Sequence, residues 1–207
     1  MKKLLTILSI VTLVFLFLLP NLAFSQMGIT KGVKVGLNLA TVTGDDVDYV
    51  AGPVTISPGT RTSFSVGGFV ILNLPGMLKV RPEILYSMKG AKYDTPIGDA
   101  TMKLDYLEVP VLLQYNLIPG PISPNIFAGP ALGIKLSAKG ESPGGAEEDI
   151  DDVKSMDLGL VIGGGVILND KFTVDLRFSL GLSTIDDSDN EADIKNQVIS
   201  LMAGICL

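Results

Sequence analysis

The sequence predicts an all-β fold: an eight-stranded antiparallel up-and-down transmembrane β-barrel. Three observations predict it. Apolar residues recur at every second position in eight successive runs of the chain. The connections between the runs alternate short and long. Of the 22 acidic residues, 16 fall in the four long connections: three in 41–60, two in 91–101, six in 139–155 and five in 184–196. Membrane-spanning barrels combine an even strand number, tight turns at one end, longer loops at the other and an apolar outer face. Closure is a physical requirement, because in hydrocarbon each unpaired backbone group costs several kcal/mol.

The chain starts with "MKKLLTILSIVTLVFLFLLPNLAFSQ". Two lysines precede an apolar stretch, Pro20 breaks it, and Ala23 and Ser25 are small residues where a signal peptidase reads. Residues 1–25 are therefore expected to be a cleaved secretory signal peptide, with 26–207 as one barrel domain. Cleavage removes Lys2 and Lys3, leaving 14 basic against 22 acidic residues and a net charge of −8.

The strands follow in order. From Lys31 to Ala40, Val33, Val35, Leu37 and Leu39 oppose Lys34, Gly36 and Asn38. From Arg61 to Asn73 the alternation is weaker, because Phe69 and Ile71 fall on the polar side and leave the facing open. From Lys79 to Lys89, Val80, Ile84, Tyr86 and Met88 oppose Arg81, Glu83, Ser87 and Lys89. The fourth, "MKLDYLEVPVLLQYNL", sets Leu107 to Leu117 against Glu108 and Gln114. The fifth spans about 125–137, the sixth 155–168, the seventh 172–183 and the eighth 196–207. "GGG" at 163–165 lacks the Lys-Ser/Thr of a phosphate loop and is expected to leave room for bulky lumenal neighbours.

A soluble eight-stranded barrel would show the same alternation with the faces reversed. Three features favour apolar-outward. The other face is rich in Gly and Ser, too small and polar for a solvated exterior. Its charges nearly balance: Lys34, Arg81, Lys89, Lys135 and Arg177 against Glu83, Glu108, Asp157 and Asp175. The last strand ends on an apolar residue. On this reading Arg81, Glu83, Glu108, Asp175 and Arg177 form a buried lumenal ion-pair network, with Glu83 brought near Glu108 by the hairpin of strands three and four. A structural plug is the favoured role. Pro82 and Pro110 lie inside adjacent strands, where a closed barrel has no edge to accommodate them. A bulge or an unpaired carbonyl is expected there.

Several function classes are disfavoured. Histidine is absent, which removes the usual general base and the commonest transition-metal ligand. The single cysteine, Cys206, supports no disulfide framework or thiolate metal cluster. No catalytic residues, metal or cofactor are expected, and the negative charge argues against nucleic acid. "EEDIDD" (147–152) and "DDSDNEAD" (186–193) read as solvated acidic loops, the first expected to be mobile. Weak divalent-cation bridging to neighbouring lipopolysaccharide is their functional alternative.

"VRPEILYSMKGAK", "LDYLEVPVLLQYNL" and "PNIFAGPALGIKLSAK", with "VGLNLA" near the start, resemble the PorT-like outer-membrane β-barrel family. The resemblance covers about 28–207. It implies an eight-stranded barrel in the outer membrane, in contact with its lipid. Some members serve a protein-secretion system, which makes envelope or secretion-machinery proteins candidate partners, although membership alone does not make this chain a secretion component. Three roles stay open: a structural or interaction barrel, a secretion component, and a small passive pore.

Overall fold

The structure, a computed structural model, describes residues 28–51, 54–96, 98–188 and 192–207. The expected signal peptide lies outside these residues. The described residues form eleven strands: β1 (Ile29–Thr43), β2 (Tyr49–Ala51), β3 (Val54–Ile56), β4 (Arg61–Asn73), β5 (Leu78–Thr95), β6 (Gly98–Asn116), β7 (Ile122–Glu141), β8 (Glu147–Asp149), β9 (Met156–Leu168), β10 (Phe172–Gly181) and β11 (Lys195–Cys206). Eight of them close a ring in chain order, β1-β4-β5-β6-β7-β9-β10-β11, every neighbour antiparallel. The ring closes where β1 pairs β11 from Gly32↔Cys206 to Thr43↔Lys195.

The apolar stripe faces outward, as expected. Val35, Leu37, Leu113, Ile126, Leu176 and Leu201 are each more than 40 % exposed, while Lys34, Asn38, Glu108, Gln114 and Asp175 are buried inside. The second run resolves the same way. Phe64 and Val66 point out, and Phe69 and Ile71 point in, where they cluster with Ile167 and Cys206 near the short-turn end.

Two of the four long connections are corrected. Residues 91–101 are not a loop: β5 and β6 continue as a hairpin that turns at Thr95–Gly98. In 139–155 the chain also stays extended, and β8 folds back on β7 from Lys139↔Asp149 to Glu141↔Glu147. The segment expected to be mobile thus includes a paired strand. Lys103 and Lys139 both bridge Glu147, at 2.7 and 3.2 Å, which offsets the local acidity. Lys103 is foremost in holding the Glu147 carboxyl below its usual range.

The prolines produce no bulge. The β4–β5 ladder passes from Phe69↔Glu83 to Leu72↔Val80, skipping the two pairs at Pro82 without a shift. The β5–β6 ladder skips the pairs of Glu83 and Ile84 with Pro110 and Val109. The β6–β7 ladder skips those of Val111 and Leu112 with Pro130 and Gly129. Each gap matches the loss of one hydrogen bond. The carbonyls of Val70, Glu83 and Val111 stand opposite Pro82, Pro110 and Pro130, which have no N–H to donate. The Val111 carbonyl lies over Gly129, where a Cβ would stand 2.0 Å from it. By register the gaps form one row across β4 to β7. The register shift of this wall lies elsewhere, between Asp105 and Tyr106, where Leu136 of β7 is the extra residue.

This row should be the weak line of the wall. Hydrogen exchange of the folded protein in micelles is expected to be faster over 109–112 and 128–131 than over the uninterrupted β1–β11 ladder. Equal protection in both places would contradict the assignment.

Candidate functional site

The lumen is built in layers, set by the inward positions of each strand. Nearest the short turns, Gln114 donates to Asn116 Oδ1 (2.9 Å) and Asn116 to Ser123 Oγ (2.9 Å). Above them sits a charged cluster. Lys34 of β1 bridges Glu83 (2.8 Å) and Asp175 (2.9 Å). Arg81 of β5 bridges the same two, at 3.0 and 3.2 Å. Arg177 of β10 does likewise, at 2.8 and 3.0 Å. Three cations thus surround two carboxylates, leaving one positive charge in excess. Aromatic faces receive it. Arg81 and Arg177 lie 4.5 and 5.5 Å from the Phe127 ring centroid, and Lys34 lies 4.7 Å from that of Phe69.

A neutral polar layer follows. Asn38 donates to Ser65 Oγ (2.7 Å) and to the Met88 carbonyl (3.0 Å), and accepts from Ser200 (2.8 Å). Higher still is a second charged cluster, in which Lys89 lies 3.4 Å from Glu108 and 3.3 Å from Asp157. Asn196 donates to Asp157 Oδ2 (2.9 Å). An apolar lid closes the long-loop end: Val42, Ala91, Leu104, Tyr106, Ala138, Val153 and Ile185 pack together, supported by Ile150 and Ile194. Lys135, half-buried, donates to the Val153 carbonyl beneath it. Two small cavities, each about 10 Å³, flank Glu108. That volume admits roughly one water.

Four of the five residues expected to form a network do so: Arg81, Glu83, Asp175 and Arg177. Glu108 does not belong to it. By register it pairs with Leu85, so Glu83 sits two residues further toward the short turns, and Glu108 meets Lys89 instead. Lys34, Lys89 and Asp157 were expected to face inward but were not assigned to a network. Their membership depends on ring closure, which sets β1 and β9 against β5 across the lumen. The apolar lid had no sequence signal beyond inward Leu104 and Tyr106 breaking the polar face.

Gly163 and Gly165 make the expected room. A Cβ at 163 would stand 2.6 Å from Phe127 Cζ, and one at 165 would stand 2.4 Å from Asp175 Oδ1. Gly163→Val should therefore displace the Phe127 ring from the two arginines, crowd the Leu176 carbonyl and lower stability by roughly 1–3 kcal/mol. Urea unfolding in micelles measures it, and an unchanged midpoint would contradict the packing.

A search of curated proteins finds no match. Among solved structures, Neisserial surface protein A is similar over 86 % of this chain and 98 % of its own, with 13 % identity and a TM-score of 0.50. Ail of Yersinia pestis covers 87 % of this chain and 100 % of its own at 15 % identity and TM-score 0.46. Outer membrane protein W of E. coli covers 85 % and 97 % at 15 % identity and TM-score 0.39. The first of these supports the fold alone. The family model described as "Outer membrane protein beta-barrel domain" matches residues 24–187. With its ring closed, its apolar face outward and its charges inside, the chain is an outer-membrane protein and belongs to the outer membrane protein beta-barrel domain family.

Proposed function

We propose that the protein is a filled barrel with a structural and interaction role, holding its acidic long-loop end outside the cell or toward envelope partners. The observation that carries this reading is the lumen itself, crossed by two ion-paired clusters beneath an apolar lid. An eight-stranded barrel is just wide enough to be filled by its own side chains. β1 begins beside the expected signal peptide, so the short turns lie in the periplasm and the long loops outside. The belt from Val35 to Leu201 contacts outer-membrane lipid. The acidic segments 147–152 and 186–193 are solvated surface, and Glu147 in the first is already paired with Lys103 and Lys139. No catalysis is assigned.

The PorT-like motifs in β5, β6 and β7 support a second reading, as a component of a protein-secretion system. Fold alone does not carry it. A tagged pull-down from native outer membranes in mild detergent, with mass spectrometry, tests both. The barrel with lipid alone, or with sub-stoichiometric envelope proteins, is the result expected. A stoichiometric set of envelope proteins would replace the structural reading with the machine component. The passive-pore reading ranks below both, because the cavities beside the charged layers are no larger than a water.

A further inference from the structure

The two charged clusters are out of balance in opposite senses, and only one imbalance is met by its surroundings. The cluster nearer the short turns holds three cations to two carboxylates, and the rings of Phe69 and Phe127 take up the excess. The upper cluster holds two carboxylates, Glu108 and Asp157, to one ammonium, Lys89. That ammonium is also shared with the Tyr106 ring, 5.1 Å away. One negative charge is left over, at contacts longer than the closest contacts of the other cluster.

The acceptors there are also incomplete. Asp157 Oδ1 and Asn196 Oδ1 are buried without a hydrogen-bond partner, on residues 3 % and 2 % exposed. The Asn196 amide donates through Nδ2 to Asp157 Oδ2, a bond that does not involve its oxygen. Lys89, Glu108, Asp157, Ser179 and Asn196 all line the same cavity of about 10 Å³. Buried oxygen acceptors cost free energy when unmet, and an uncompensated buried charge costs more.

We propose that this cavity holds one desolvated monovalent alkali cation, sodium or potassium, ligated by the oxygens of Glu108, Asp157 and Asn196. A single positive charge neutralises the cluster. The size admits one ion without its water shell, and hard cations take oxygen ligands. Arg177 lines the neighbouring cavity together with Glu108, but its two terminal nitrogens are held on Glu83 and Asp175, at 2.8 and 3.0 Å.

The test is thermal unfolding of the protein refolded in micelles, in choline chloride and in lithium, sodium or potassium chloride at constant ionic strength. The midpoint is expected to rise saturably, by about 5 °C, in sodium or potassium. Glu108→Gln removes the surplus charge. It should abolish the response and, in choline chloride, unfold no lower than the unaltered protein. A midpoint insensitive to the cation would show that the cavity holds water only. A response surviving in Glu108→Gln would place the ion elsewhere. Either result overturns the proposal.

Discussion

Glu83→Gln should cost roughly 3–5 kcal/mol of stability, because it leaves three buried cations facing Asp175 alone. Glu83 now meets Lys34 at 2.8 Å and Arg81 at 3.0 Å through Oε1, and Arg177 at 2.8 Å through Oε2. Its side chain is fully buried, so water cannot replace the lost charge. Urea unfolding from lipid vesicles reads the loss. Adding Lys34→Met to the same chain leaves two cations to one carboxylate, the original excess, and should recover a large part of it. A single variant within about 0.5 kcal/mol of the parent would mean that the cluster is solvated, as in a water-filled channel.

Leu37→Arg has the second large effect, for an unrelated reason. Leu37 lies in the middle of β1, between Phe64 and Leu201 in the ladder, and is 63 % exposed. In water an exposed leucine accepts arginine within about 0.5 kcal/mol. At the midplane of a bilayer the same change costs about 2–4 kcal/mol. The larger figure is expected in vesicles. A negligible change would place this face in solvent, and the barrel would then be a soluble one.

How much of this could be read from residues alone varies with the interaction. The eight ring strands and their order follow from period-two alternation, which is local, while the facing follows from the small residues and nearly balanced charges of the other face. Arg61–Asn73 is found at its expected bounds even though Phe69 and Ile71 obscure its facing. Those two residues are apolar on the lumenal side because they pack with Ile167 and Cys206 from distant strands. Gly, Pro and acidic residues interrupt the alternation in the hairpin extensions of β5–β6 and β7–β8, so the sequence reads them as loops. Backbone ladders hold both extended, with Lys92 paired to Asp94 and Asp99 in the first and Lys103 and Lys139 paired to Glu147 in the second. Inward facing gives no height, so the sequence groups Glu108 with Glu83 whereas the structure pairs it with Lys89. Height depends on register, and the unshifted ladder across Pro82 and Pro110 puts Glu108 opposite Leu85. Pro82 and Pro110 have no N–H to give a closed ladder, and that much is legible in the sequence. Their answer, single missing bonds rather than a bulge, depends on which neighbour each absent N–H would have faced.

Planar-bilayer conductance of the purified barrel tests the central claim most directly. A cylinder crossed by the Lys34–Arg81–Glu83–Asp175–Arg177 cluster, the Lys89–Glu108–Asp157 cluster and the apolar lid should insert without conductance steps. Stable, reproducible openings by the unaltered chain would contradict it and make the protein a pore.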